Sequence, residues 1–144
     1  MQLNELEEEI MEAISNLRIE DKVKVFKGDE KNNMLLKLKE IFVSGDPRVW
    51  WLSLKYFPWS FVFKPEQSYK EIVNFFDEEE EVWFVIEDDE QLLFKMKISH
   101  VIDIIGESTG FEYNIISENC ERFLCETDHD EFLYIDINKN PPKE

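Results

Sequence analysis

The chain has 144 residues, 43% of them hydrophobic and 14% aromatic, which is enough material for one domain with a sizeable core. It contains no apolar window of about 18 residues, so we expect no membrane-spanning segment. The acidic start, MQLNELEEEI, is unlike a signal peptide. Two cysteines are too few for a disulfide framework. Together these features predict a cytoplasmic protein.

Charge is the strongest signal in the composition. The formal net charge is −17, and residues 1–72 carry 11 basic and 13 acidic side chains whereas residues 73–144 carry 5 and 20. An acidic field of this size repels nucleic acid and attracts basic proteins. We therefore expect a basic protein partner and no direct nucleic-acid binding, with generic solubility as the alternative explanation of the acidity.

The N-terminal part predicts two amphipathic helices on either side of a short edge strand. Apolar residues recur at spacings of three and four from Leu3 to Leu17, and again from Met34 to Phe42. Between these stretches, Lys22–Phe26 alternates weakly. A third, short helix is expected near 65–76, where Ser68 and Glu71 have the spacing of a capping box.

Residues 48–63, RVWWLSLKYFPWSFVF, are dense in aromatic side chains. We predict two short β segments here, broken at Pro58. Seven rings are too many for full burial in a small domain, so some of them are expected to line an exposed groove. The alternative is a thick aromatic core.

The stretch 81–105 predicts a β-hairpin followed by a helix. Val82–Ile86 is an unbroken apolar run typical of a buried strand, 87–91 is a polar turn, and Leu92–Ile98 alternates between apolar and polar residues. Ser99 is placed to cap the helix that follows. Three further apolar runs between 111 and 137 predict an antiparallel meander, and 138–144 is expected to be a flexible tail.

Residues 125–131, CETDHDE, bring a thiol, carboxylates and an imidazole within seven positions. Their spacing matches neither a calcium loop nor a zinc motif, so we expect no metal site and no cofactor. Cys125 alternates along a short strand, which favours a buried thiol. A small hydrolase or metal-dependent enzyme using Cys125, Asp128, His129 and Asp130 is one alternative function.

Four segments resemble a family of small bacterial proteins of no established activity: WWLSLK (50–55), EVWFVIED (81–88), IIGESTGFEYNIIS (104–117) and FLCETDHDEFL (123–133). The shared markers are the Val-x-Phe-x-Ile-Glu-Asp, Gly-Phe-Glu-Tyr and Leu-Cys-Glu-x-x-His-Asp patterns, which begin here at Val82, Gly110 and Leu124. More loosely, the acidic α+β build is similar to that of SMI1/KNR4-like immunity proteins. That similarity of type implies an antitoxin role.

Taken together, the sequence predicts one α+β domain over 1–137, with an antiparallel sheet of about five or six strands and three or four helices packed on it. The expected function is that of an immunity protein neutralising a basic toxin domain, and a nucleic-acid-mimicking regulator is a second alternative. We predict a partner-binding surface made of Asp77, Glu78, Glu79, Glu80, Glu87, Asp88, Asp89, Glu90, Asp128, His129, Asp130 and Glu131, anchored by one of Trp50, Trp51 and Trp59.

Overall fold

The computed structural model describes residues 4–63, 65–108 and 110–143. Within these ranges it contains one seven-stranded sheet whose neighbouring strands are all antiparallel. The strands are β1 (Lys24–Phe26), β2 (Trp59–Val62), β3 (Glu81–Ile86), β4 (Leu92–Lys97), β5 (Tyr113–Ser117), β6 (Arg122–Glu126) and β7 (Glu131–Asp136). Their order across the sheet is β1-β4-β3-β5-β6-β7-β2, so β1 and β2 are the edges.

Three α-helices and three short 3-10 helices accompany the sheet in the described residues. The α-helices are α1 (Glu5–Leu17), α2 (Gly28–Phe42) and α3 (Ile98–Glu107), and the 3-10 helices are Glu20–Lys22, Trp50–Ser53 and Pro65–Asn74. The α1 helix begins where the Asn4 side chain accepts a hydrogen bond from the Glu7 amide at 2.7 Å. Leu3, which the helical pattern included, lies outside the described residues.

The sheet has a hydrophobic core on each face. On one face, α1, α3 and the Pro65–Asn74 helix pack over apolar side chains such as Phe84, Ile115 and Leu124. On the other face, α2 and the Trp50–Ser53 helix cover Val85 and its neighbours. This arrangement explains why β3 is an unbroken apolar run, because successive side chains of a central strand enter opposite cores.

The predicted α+β class, the central hairpin and the edge strand at 24–26 are confirmed. The sheet has seven strands rather than five or six because β2 adds to β7 from a distant part of the chain. The first aromatic segment is a 3-10 helix and not a strand. None of the described helices has the length and apolarity needed to cross a membrane.

Two predicted helix caps are wrong. The α3 helix begins at Ile98, so Ser99 lies inside its first turn and caps nothing. The Ser68 hydroxyl donates to Glu126 Oε1 at 3.0 Å, which also accepts from the Tyr113 hydroxyl at 2.8 Å. Ser68 therefore ties its 3-10 helix to the sheet instead of forming a capping box with Glu71.

The segment expected to be a flexible tail is hydrogen-bonded over 139–143 to the body of the protein. Asn140 is only 3% exposed; its Oδ1 accepts from the Asp136 amide at 2.8 Å and its Nδ2 donates to the Phe57 carbonyl at 2.8 Å. The Lys143 amide donates to the Lys55 carbonyl at 2.8 Å. The structure thus does not support a free tail here, and Glu144 lies outside the described residues.

We predict that Asn140→Ala lowers the free energy of unfolding by about 1–2 kcal/mol, because it leaves the part-buried Asp136 amide and Phe57 carbonyl without their side-chain partner. Asn138→Ala is the matched control: its side chain donates only to Glu121 in an exposed pair at 3.0 Å, so its loss should cost about 0.5 kcal/mol or less. Urea denaturation of both variants measures the difference, and equal stabilities would show that residues 138–143 contribute nothing.

Candidate functional site

Two of the three predicted acidic turns lie together at one end of the sheet. Since β6 is two antiparallel steps from β3, the two strands run parallel, and the turns that follow them leave the sheet at the same end. We define the acidic end as these two turns together with Glu112, which precedes β5. Its members are Glu87, Asp88, Asp89, Glu90, Glu112, Asp128, His129, Asp130 and Glu131.

The carboxylate of Glu87 holds the first turn in place. Its Oε2 accepts from the Trp50 amide at 3.0 Å and from Asn114 Nδ2 at 2.9 Å, and its Oε1 accepts from Gln91 Nε2 at 2.8 Å. The Glu87 amide also donates to the Glu112 carbonyl at 2.9 Å. Glu87 therefore has a structural role, and its carboxylate is less available to a partner than the acids that follow it.

Trp51 connects Glu112 with the second turn of the acidic end. Its Nε1 donates to Glu112 Oε2 at 2.8 Å, and its ring meets the His129 ring edge-on with centroids 6.1 Å apart. Trp51 is half-buried. The His129 Nε2 lies 3.3 Å from Asp128 Oδ1, and both side chains are well exposed.

Several carboxylates at the acidic end form no ion pair within the part of the chain that the structure describes, although Lys31, Lys39 and Arg48 line the same pocket as Asp88 and Asp89. Asp88, Asp89 and Asp130 form neither an ion pair nor a side-chain hydrogen bond with any residue in 4–63, 65–108 or 110–143. Glu90 is paired with Lys31 at 2.7 Å, and that contact lowers the pKa of the Glu90 carboxyl. This end thus carries more acidic than basic side chains.

The third predicted acidic turn, Asp77–Glu80, lies at the opposite end of the sheet. It precedes β3, whose six residues span about 17 Å at roughly 3.3 Å per step. Here Glu79 pairs with Lys97 at 2.8 Å and Glu80 pairs with Arg122. The expectation of one surface containing all three turns is therefore wrong, because strand direction separates them and local cations neutralise part of this one.

The three candidate tryptophan anchors have different environments. Trp50 is only 3% exposed and packs in the core under α2, so it is unable to serve as an anchor. Trp51 belongs to the acidic end. Trp59 is 44% exposed and stacks on Tyr134 with centroids 5.9 Å apart, but it lies on β2, at the end of that strand remote from Glu131.

The residues of the catalytic alternative do not form a nucleophile pair. Cys125 is fully buried on the inner part of β6, and this burial raises the pKa of its thiol well above the ordinary value. His129 lies in the exposed turn beyond the strand and contacts Asp128 and Trp51. Among the described residues no group of three His, Cys, Asp or Glu side chains is arranged to hold a metal ion.

Glu112 and Asn114 are site residues that the sequence reasoning missed. Both alternate with the apolar side chains of the strand predicted to start at Phe111, a pattern that indicates an exposed polar face. In the structure Asn114 is buried and donates to Glu87, and Glu112 receives the Trp51 indole. Polar residues alternating in an otherwise apolar strand were the available signal, but their side-chain partners lie 27 and 61 positions away in the sequence.

Comparison with known proteins finds no matching family model, no matching curated protein and no matching solved structure.

We predict that Glu87→Ala lowers the free energy of unfolding by about 2–4 kcal/mol, because it leaves the Trp50 amide and the buried Asn114 amide unpaired. Glu87→Gln keeps an oxygen for these two donors and should cost about 1 kcal/mol or less. Thermal or urea unfolding of the pair separates the hydrogen-bonding role from simple charge removal. Similar losses in both variants would contradict the role given to the Oε2 contacts.

We predict that Cys125 does not react with a thiol reagent such as DTNB in the native protein at pH 8, because burial keeps its thiol protonated and inaccessible. Cys120 is partly exposed and should react first, although partial burial also raises its pKa. Cys120→Ser isolates the Cys125 signal. Rapid labelling of Cys125 in that folded variant would restore the thiol-dependent enzyme as a candidate function.

Proposed function

We propose that this protein is a binding protein for a basic protein partner, most specifically an immunity protein that neutralises a basic toxin domain in the cytoplasm. One observation carries the proposal: the carboxylates of Asp88, Asp89 and Asp130, which form no ion pair in the described residues, lie at the same end of the sheet as Trp51, whose side chain contacts Glu112 and His129. The resemblance in type to immunity proteins supports the same assignment.

Electrostatics favour this end for the contact. Surface charges interact over about 8 Å at physiological ionic strength, so acids on neighbouring turns act together on an approaching cation. Such a field raises the association rate of a basic partner well above that of neutral docking. Lys31 and Arg48 are the cations found in ion pairs at this end in the described residues, so a partner meets a clear excess of negative charge.

Trp51 supplies the apolar contact that charge alone does not provide. Interfaces take most of their binding energy from a few aromatic or arginine side chains near the centre. The Trp51 indole is oriented by Glu112 and flanked by His129, so it is pre-positioned and loses little side-chain freedom on binding. A lysine or arginine of the partner placed over the exposed ring would combine a cation–π contact with the surrounding carboxylates.

We predict that the triple variant Asp88→Lys, Asp89→Lys and Asp128→Lys weakens binding at least tenfold, a loss of about 1.4 kcal/mol. The measurement is isothermal titration with a purified basic toxin domain, at low and at physiological salt. Wild-type affinity should fall as salt rises, because the contacts are screened.

The matched control is Glu20→Lys, Asp21→Lys and Glu78→Lys, which makes the same change in net charge with exposed side chains at the opposite end of the sheet. It should bind nearly as well as the wild type. Equal losses in the two variants would mean that only the total charge matters, and the acidic end would lose its special role. Displacement of the partner by duplex DNA would favour the nucleic-acid mimic over the immunity protein.

A further inference from the structure

The edge strand β2 is uncovered along its whole length. All four of its side chains, Trp59 to Val62, are exposed, and Val62 is 76% exposed. One side of β2 pairs with β7, and in the described residues no other backbone bonds to it. An unpaired apolar edge is a template for another strand, and proteins usually protect such edges with charges or bulges.

The direction of the free backbone groups follows from the pairing with β7. The Phe63 amide donates to the Asp130 carbonyl at 3.3 Å, so residue 63 faces β7. In an antiparallel ladder these positions alternate. Phe61 and Trp59 therefore also face β7, and the N–H and C=O groups of Ser60 and Val62 point away from the sheet toward solvent.

The strand at this edge has no charged side chain of its own, although Glu131 of β7 lies opposite Val62 and accepts a hydrogen bond from the Ser60 hydroxyl at 2.6 Å. The sequence from Trp59 to Phe63, WSFVF, contains none of the 33 acidic residues of the chain. Over 47–76 basic residues outnumber acidic ones by four to two, in a protein of net charge −17. The uncharged apolar strand is matched by the same strand of a second copy, which brings no like-charged acid within β2 itself.

We propose that two copies of this chain associate through antiparallel β2–β2 pairing about a two-fold axis, which would join their sheets into one continuous sheet. The axis passes between the two Phe61 residues, so Ser60 of each copy lies opposite Val62 of the other. These two residues exchange about four backbone hydrogen bonds across the pair, and closed two-fold symmetry leaves no further β2 edge free.

The side chains suit this register. Phe61 packs edge-on against Phe75 at 5.2 Å and Trp59 stacks on Tyr134 at 5.9 Å, so both rings lie on one face of the sheet. Pairing about Phe61 brings Phe61 beside its symmetry mate and Trp59 beside Phe63 of the second copy. Cross-strand aromatic pairs of this kind stabilise antiparallel sheets. The dimer leaves Asp88 and Asp89 on the β3–β4 turn, several strands away from the contact.

The test measures molar mass by light scattering on the purified full chain over a range of protein concentrations. The wild type should approach twice the chain mass of 17.4 kDa, and Val62→Lys should stay monomeric over a concentration range at least tenfold higher. Leu36→Lys is the matched control: Leu36 is 56% exposed on α2, away from the edge, and its substitution should leave the dimer intact. A wild-type monomer at every concentration overturns the proposal, as does an unaffected Val62→Lys dimer.

A cross-link tests the register. Phe61→Cys in a Cys120→Ser background should form an intermolecular disulfide on oxidation, because opposite residues of a non-hydrogen-bonded pair have Cα atoms about 4.5 Å apart. Leu36→Cys in the same background should not. Disulfide formation at 36 but not at 61 would place the interface elsewhere and overturn the proposal.

Salt separates this inference from the proposed function. Two copies of a chain with charge −17 repel one another, so added salt should strengthen the dimer while it weakens binding of a basic partner. The Asp88→Lys, Asp89→Lys and Asp128→Lys variant should likewise still dimerise, because none of these three residues lies on β2. A dimer that salt does not strengthen would contradict the β2 pairing. Partner binding that salt does not weaken would contradict the proposed function.

Discussion

The carboxylate of Glu87 is the contact on which the arrangement of the acidic end depends. It gathers the Trp50 amide, Asn114 and Gln91, so a single side chain joins the β3–β4 turn to β5 and to the Trp50–Ser53 helix. Hydrogen bonds to an ionised acceptor are stronger than neutral ones, which suits a carboxylate at the rim of a core. Because Trp50 is fixed in this way, Trp51 is placed next to Glu112 and His129.

The chain places its charges unevenly in space as well as along the sequence. At the end of the sheet that holds Asp77–Glu80, Lys97 and Arg122 compensate acids locally, so those carboxylates serve the fold. At the acidic end Asp88 and Asp89 have no such partner in the described part of the chain. The β2 strand has no charged side chain of its own. A molecule built in this way offers two different surfaces, one suited to a basic partner and the other to a strand.

Much of the fold could be predicted from local pattern. Val82–Ile86 is a central strand because both of its faces are apolar, and the polar residues 87–91 had to be a turn. The 3-10 helix at Trp50–Ser53 could not be predicted, because a run of aromatic residues has high strand propensity and its helical turn is fixed by the Glu87 contact 37 positions away. The capping role predicted for Ser68 was also wrong, because its hydrogen-bond partner, Glu126, lies 58 positions away in the sequence.

The candidate site was predicted only in part. Asp88, Asp89 and Asp128–Asp130 could be recognised as acidic turns, but nothing local distinguishes them from Asp77–Glu80. Which turns share an end of the sheet depends on strand direction, and the direction of β6 relative to β3 depends on β5 between them. Trp50 is buried whereas the neighbouring Trp51 is only half-buried. This difference depends on which face of the Trp50–Ser53 helix packs on the core.

The sequence by itself determined the α+β class, the central hairpin, the buried Cys125 and the excess of negative charge, because each is a property of composition or of short-range periodicity. Only the tertiary structure decided which carboxylates are compensated, which tryptophan is accessible and which strand is left at the edge. Those properties come from contacts between residues tens of positions apart, and such pairings leave no trace in local periodicity.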